Sequence, residues 1–351
     1  MAIRLFAFRD CRLNPYQPPY RITTNILNLV AEIGEIMGRY TALEEERLTP
    51  QLRRENRIRT IHASLAIEHN TLNLEQVSAV IAGKHVIGDQ REICEVRNAF
   101  AAYEAMEGWS ACSEKELLSA HNLLMRGLVD ESGCYRTGGV GIFQGEKLVH
   151  MAPPASRVPY LMADLLAWLD KTDEHPLIAS CLFHYEFEFI HPFADGNGRM
   201  GRLWQTLILR TWKPLLAYLP VETVVHQRQE AYYRVLAIAD QEAEATPFVE
   251  FMLSALRDAL SEAVATDQVR DQVSDQVAAL LRTLGERTLS GAEVMQALHL
   301  SHRPSFRNNY LNPALEDKWI ERTEPASPRS PTQRYRLTSK AQKWLRDQIA
   351  K

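Results

Sequence analysis

Within "FIHPFADGNGRMGRLWQ", the positions from His191 to Arg202 hold a histidine, an aspartate, two glycines around an asparagine, and two arginines. Histidine titrates near neutrality, so His191 could take a proton from an incoming hydroxyl. Asp195 is a hard oxygen ligand that suits Mg2+ when phosphates supply the rest of the coordination. Gly196 and Gly198 permit the backbone conformations of an anion-holding nest and let a phosphate approach closely. Arg199 and Arg202, three apart, project from one helix face and can clamp further phosphates. Base, cation ligand, nest and clamp together describe phosphoryl or nucleotidyl transfer from a nucleoside triphosphate. One rival exists: His184, Glu188 and His191 stand at i, i+4 and i+7, a metal-ligand face that would suit a metallohydrolase. That reading leaves the glycines and both arginines unexplained.

The elements around this run must deliver it. The apolar stretch "LIASCLFHYEFEFI" is expected to be a helix that ends at His191, because Pro192 lacks an N–H and disfavours helix in the residue before it. A second helix is expected from about Arg199. "DGNG" then lies ahead of a helix N-terminus, where unpaired N–H groups and the helix dipole attract an anion. "GCYRTGGVGIFQGEKLVHMAPP" changes pattern to short apolar runs around a turn at Gln144–Gly145, a β-hairpin. "RENRIRTIHASLAIEHNTLNLEQVSAVIAG" reads as two helices broken near His69–Thr71, the second closing at Gly83.

The 351-residue chain is long enough for two or three domains, each with its own core. A formal net charge of −4 points neither to nucleic acid nor to an acidic membrane surface overall. The sequence offers no long apolar run for a membrane span and no signal-peptide pattern. Its five scattered cysteines read as free thiols, which suits a cytoplasmic protein.

"HPFADGNGRMGR" resembles the Fic-family signature H-x-F-x-[DE]-G-N-G-R-x-x-R and matches every specified position. The resemblance extends over roughly residues 60–260. It implies a helical core that typically moves AMP from ATP, with Mg2+, onto a Ser, Thr or Tyr hydroxyl of a target protein, the chain itself included. Carried over by position, His191 is the general base and Phe193 packs beneath the loop. Asp195 holds Mg2+, and Gly196, Asn197 and Gly198 cradle the α- and β-phosphates. Arg199 meets the γ-phosphate and Arg202 the β-phosphate. Met200 and Gly201 complete this nucleotide-binding run. Val140, Gly141, Ile142 and Phe143 on the hairpin, with Tyr232, Tyr233 and Asp240, would border the nucleotide, although family members often carry Asn where this chain has Asp240. "SLAIEHN" resembles the family's inhibitory motif [ST]-x-x-x-E-[GN], which makes Ser64 and Glu68 inhibitory residues. Glu68 is expected to engage Arg199, the first arginine of the loop. His69 departs from the motif's Gly or Asn.

The tail gives a helix capped by Ser290, a turn, a second helix, and two short strands around a Pro/Ser-rich loop. This order resembles a winged helix-turn-helix, whose second helix often enters the DNA major groove. His302, Arg303, Arg307, Asn308, Arg329 and Arg334 would supply phosphate contacts. The expected fold is mainly α: a helical core with a β-hairpin flap, followed by a small α+β winged-helix domain. Expected boundaries are an N-terminal helical region over 1–100, the core over 101–262, a helical linker over 263–277 and the winged helix over 278–351. The expected activity is that of an autoinhibited protein adenylyltransferase. The alternatives are a hydrolase that removes AMP with the help of Glu68 and a nucleotide-sensing DNA-binding regulator. Expected partners are ATP, a target protein, DNA through residues 278–351 and a second copy of the chain.

Overall fold

The structure, a computed structural model, describes residues 16–44, 50–144, 147–270, 274–325, 327, 330 and 332–349. It divides into two compact units, Met1–Val264 and Ala265–Lys351. The first is helical: α1 (Thr24–Glu44), α2 (Pro50–Ile67), α3 (Leu74–Ile81), α4 (Gln90–Ala105) and α5 (Glu114–Met125) precede a hairpin of β1 (Gly141–Gln144) and β2 (Lys147–Met151). After it come α6 (Val158–Lys171), α7 (Pro176–Ile190), α8 (Asn197–Trp212), α9 (Val221–Gln227), α10 (Gln229–Glu242) and α11 (Thr246–Arg270).

No boundary falls at residue 100. Ile61 and Leu65 of α2 and Val96 and Ala99 of α4 belong to the same buried cluster as Phe183 and Phe187 of α7 and Leu203 and Leu207 of α8. A face that buries its apolar residues in one continuous core cannot part from it cheaply. At the centre lies α7, whose residues from Leu177 to Glu188 are all buried. An all-round apolar helix of this kind is what a central core position demands. It packs lengthwise on α8. The hairpin is antiparallel, with an irregularity between Ile142 and Phe143. Gly145 of the expected turn lies outside the described residues.

The second unit runs α12 (Asp275–Leu284), β3 (Leu289–Ser290), α13 (Gly291–Ala297), and a helical stretch from Arg303 to Glu316 that is π-wound over Arg307–Leu311. Strands β4 (Ile320–Arg322) and β5 (Arg334–Leu337) and a final helix, α14 (Ser339–Ile349), complete it. Its sheet has the order β3-β5-β4, all antiparallel. A separate core of Leu280, Leu281, Leu284, Val294, Phe306 and Ile320 holds it together. Ser290 and Glu293 form a reciprocal capping box that starts α13. The expected linker differs from what is seen: α11 runs to Arg270, and α12 begins at Asp275 as part of the second unit's core. Residues 271–273 lie outside the described ones.

Candidate active site

The loop from His191 to Gly196 is fixed by an unusual number of main-chain ties. His191 closes α7 in the left-handed conformation (φ 50°, ψ 63°), its N–H donating to the Phe187 carbonyl at 2.9 Å. A non-glycine residue adopts this conformation only when its surroundings hold it there. Arg136 does so. Its Nε donates to the His191 carbonyl at 2.7 Å, Nη1 to Gly138 and Nη2 to Pro153 and Ile190, while its own N–H donates to the Pro192 carbonyl at 2.9 Å. Burial pulls the Arg136 guanidinium downward from its ordinary pKa. A buried cation with these neutral partners is a structural clamp, and it stands ahead of the hairpin strands, which begin at Gly141.

Asn197 ties the loop from the other side. Its Oδ1 accepts from the Phe193 N–H and its Nδ2 donates to the Phe193 carbonyl, both at 2.9 Å. The side chain therefore closes the loop, and only its backbone N–H faces the nest, which refines the expected phosphate-cradling role. Phe193 is fully buried and stacks on His121 at 3.6 Å between ring centroids. His121 accepts from the Gly133 N–H at 2.9 Å through Nδ1 and so donates to the Asp195 carbonyl at 3.0 Å through Nε2. Its burial lowers the imidazole pKa to about 4, so the ring is neutral at physiological pH.

Helix α8 begins at Asn197, earlier than expected, with Gly196 at the cap position (φ 84°). Gly196 brings no side chain to the cap, so the N–H groups of Asn197, Gly198 and Arg199 have no acceptor within the helix. A Cβ at Gly196 would also meet the Met125 sulfur at 2.6 Å. These N–H groups and the positive end of a 16-residue helix make a ready anion site. Asp195 stands beside it, 44 % exposed, its Oδ1 accepting from the Gly196 N–H at 2.6 Å and from Arg199 Nη2 at 3.2 Å. Arg91 of α4 lies 3.5 Å from its other oxygen.

The two arginines are each held by a carboxylate, and one partner differs from expectation. Arg202, not Arg199, pairs with Glu68: Nη2 donates to Oε1 at 2.7 Å. The reason is helix register. Ser64, one turn before Glu68 on α2, takes Arg202 Nε on its hydroxyl and Nη2 on its carbonyl, both at 3.0 Å. Glu68 thus follows Ser64 onto the same guanidinium. Arg199, nearer the start of α8, instead meets Glu95 of α4 at 3.3 Å and Asp195. Glu95 also accepts from Asn70 Nδ2 at 2.9 Å. His69 takes a left-handed conformation (φ 69°), which is where the motif's Gly or Asn would sit without strain. Gly198 lies against Glu68: a Cβ there would collide with Oε1 and come within 3.1 Å of Arg202 Nη1.

Other expected residues fall elsewhere. Met200 is buried in the core, and a Cβ at Gly201 would strike His184 at 2.8 Å, so Gly201 serves the α7–α8 contact. Tyr232 is buried, with its hydroxyl 3.2 Å from His184 Nε2. Tyr233 is more exposed and donates to the Ile67 carbonyl at 3.3 Å, close to Glu68. Asp240 accepts from the Tyr185 hydroxyl at 3.1 Å. Val140 accepts from the Ala152 N–H beside the flap. The side chains of Ile142 and Phe143 lie outside the described residues, although the strand Gly141–Gln144 itself is in place. Among the described residues no group of three His, Cys, Asp or Glu side chains is arranged to hold a metal, so the metal-ligand reading of His184, Glu188 and His191 is not followed.

In the second unit Arg303, Arg307 and Asn308 are exposed on the helical stretch. His302 caps that stretch, accepting from the Ser305 N–H. Arg334 is engaged by the Thr288 carbonyl at 2.9 Å and by Glu293. Arg329 lies outside the described residues.

A family profile described as "Fic/DOC family" matches residues 111–209, and one described as "Filamentation induced by cAMP protein Fic-like, C-terminal domain" matches residues 275–338. Protein adenylyltransferase Fic of Culex quinquefasciatus is 31% identical over 209 residues, 56% of this chain and 39% of that protein. The chain thus spans about two fifths of the length of the curated relatives it matches. Fic-1 (residues 134–508) of C. elegans, 21% identical, covers 70% of this chain and 72% of its own with a TM-score of 0.56, a likeness of fold. The crystal structure of a Fic family protein from Desulfovibrio desulfuricans G20 is 76% identical, covers 92% of this chain and 99% of its own, and superposes with a TM-score of 0.71. With identity and coverage of that order, and with the loop, nest and paired arginines in place, the chain belongs to the Fic family.

Proposed function

We propose that the chain is a protein adenylyltransferase, which moves AMP from ATP onto a Ser, Thr or Tyr hydroxyl of a target protein, and that Glu68 restrains it. The observation that carries this reading is the juxtaposition of His191 with an uncapped helix N-terminus flanked by Arg199 and Arg202. His191 Nδ1 lies 3.3 Å from the Glu188 carbonyl. A carbonyl can only accept, so the neutral ring carries its proton on Nδ1 and the lone pair on Nε2. Nε2 is then the atom that takes the proton of the acceptor hydroxyl. The N–H groups of Asn197, Gly198 and Arg199 receive phosphate oxygens, and the two guanidiniums spread charge over the rest of the triphosphate.

The residues fit Mg2+, which typically keeps several waters and takes one or two carboxylates besides the substrate phosphates. Asp195 offers such a carboxylate, partly exposed beside the nest. The ion would supply neutralisation of phosphate charge. Glu68 holds Arg202 against Ser64, so the guanidinium is engaged by protein before any phosphate arrives. The relatives named protein adenylyltransferase support the same reading. For the second unit, the exposed Arg303, Arg307 and Asn308 on one helical stretch support DNA as a partner.

The test uses protein carrying Glu68→Gly with ATP labelled on either the α- or the γ-phosphate, with and without Mg2+. Transfer of the α-label to protein, Mg2+-dependent and without the γ-label, is expected. Transfer of the γ-label, or of neither, overturns the reading.

A further inference from the structure

His184, Glu188 and His191 share one face of α7, and the adenylyl-transfer reading uses only the last of them. The middle residue is a carboxylate with 11% of its side chain exposed, set in the core between the two histidines. Its Oε2 lies 3.9 Å from His191 Nδ1, and its Oε1 lies 3.7 Å from His184 Nε2. Oε1 is buried and has no hydrogen-bond partner among the described residues. Space for it comes from Gly201: a Cβ there would stand 3.0 Å from Oε1 and 3.1 Å from His184 Nε2. A glycine in the middle of α8 is unfavourable for the helix, so clearing room for this carboxylate gives the position a purpose.

Resting on the adenylyl-transfer reading, we propose that Glu188 is the positioning residue of His191: its carbonyl fixes the ring tautomer, and its carboxylate holds the imidazolium that forms during transfer. In that step the acceptor oxygen bonds to the α-phosphorus as the bond from that phosphorus to the β-phosphate oxygen breaks. Pyrophosphate leaves, and the hydroxyl proton moves to His191 Nε2. The ring then becomes a cation in a neighbourhood already occupied by guanidiniums. Arg136 donates to the His191 carbonyl, and Arg202 acts on Glu188 from α8. Cations alone would make His191 a poor base, and a carboxylate facing Nδ1 offsets them.

The surroundings keep Glu188 charged. Burial pushes its carboxyl up, but the neighbouring His184, with His191 and Arg202, brings it below the ordinary carboxylate range. From α10, Tyr232 presents a neutral hydroxyl, its pKa raised by burial first and then by Glu188 itself. From α11, Phe248 packs edge-on against His184. His184 is itself fixed: Nδ1 sits 2.7 Å from Gln205 Oε1 and so donates to it, and Nε2 lies 3.2 Å from the Tyr232 hydroxyl.

Glu188→Gln removes the charge and keeps the shape. The titration of the His191 imidazole is followed by long-range 1H–15N NMR in the full chain, with the resonance identified by its loss in His191→Ala. Loss of an opposite charge at this distance should lower the His191 pKa by about one pH unit or more. Glu188→Asp, which draws the carboxylate back by one methylene, should fall between, and it carries the test if Glu188→Gln does not fold. In a Glu68→Gly background, the acidic limb of kcat/KM for AMP transfer should move to lower pH in Glu188→Gln, and the plateau should fall roughly tenfold or more as the base weakens. A purely structural residue would lower the rate without moving the limb. A His191 pKa that is unchanged or raised in Glu188→Gln overturns the inference, whether or not the protein transfers AMP. Absence of transfer in Glu68→Gly alone would instead count against the functional reading.

Discussion

Replacing Glu68 by glycine removes the carboxylate that holds Arg202, and the gain in AMP transfer can be worked from the contact. The ions meet at 2.7 Å, an attraction of about 6 kcal/mol at an effective dielectric of about 20. Arg202 is 2% exposed but Glu68 is 32% exposed, so water already competes for the carboxylate. The cost of desolvating the pair and this exposure reduce the net to about 2–4 kcal/mol, in the range of a strong charge-assisted hydrogen bond. If that free energy is what a nucleotide must displace, Glu68→Gly should raise the transfer rate about 30- to 1000-fold, at about 1.36 kcal/mol per decade. The assay is the initial rate of self-labelling at saturating Mg-ATP for wild type, Glu68→Gly, Arg202→Ala and the double variant. In the Arg202→Ala background Glu68→Gly should give little further gain, because the liberated partner is missing. Arg199→Ala is the control: Glu68→Gly should still accelerate whatever rate remains there, since Arg199 is held by Glu95 and Asp195. A gain that persists without Arg202, or no gain at all, refutes the pair as the restraint.

Arg136→Met should cost about 3–5 kcal/mol of stability in urea unfolding, since buried carbonyls of the loop lose their donor, and should abolish labelling even where the protein stays folded. An active Arg136→Met protein would show that His191 holds its left-handed geometry without the clamp. His121 bears on pH: its folded pKa of about 4 lies below its unfolded value of about 6.5, so the unfolded chain binds the extra proton. Its contribution to stability is complete above about pH 6.5 and is lost as pH falls towards 4, up to about 3 kcal/mol, which a His121→Gln variant should flatten in melting curves. A wild-type curve no steeper than the variant's would contradict this. Gly196→Ala should lose AMP transfer through both its positive φ and the Met125 collision, and Met125→Ala should restore part of it. If the second unit binds DNA, affinity of the full chain should fall steeply with salt, and Arg307→Ala should reduce that slope by about one.

The loop was legible because its chemistry is local. His191, Asp195, Gly196 and Arg202 fall within twelve positions, and Pro192 states where α7 must stop. The break at His69 and the capping box at Ser290 are likewise short-range signals. What the sequence did not reveal is set by packing between distant segments. Whether Glu68 meets Arg199 or Arg202 depends on how far α2 slides along α8, and Ser64 decides that register through a contact 138 residues away in sequence. Arg136, His121 and Glu95 act through partners 55, 74 and 104 positions distant, and nothing in the neighbourhoods of His121 and Glu95 marks them. A basic residue inside a glycine-rich stretch was the one available hint of Arg136. The family resemblance sets Gly201 and Tyr232 at the nucleotide, yet a Cβ at Gly201 would point at His184, and the Tyr232 hydroxyl lies 3.2 Å from the same ring.

The most direct measurement is the intact mass of Glu68→Gly protein after incubation with Mg-ATP, beside the same protein carrying His191→Ala in addition. The account predicts a gain of one or more adenylyl groups in the first and none in the second, with nucleotide binding retained by both. An adenylyl gain of similar extent in the His191→Ala protein, or a gain of phosphate in place of AMP, would contradict it.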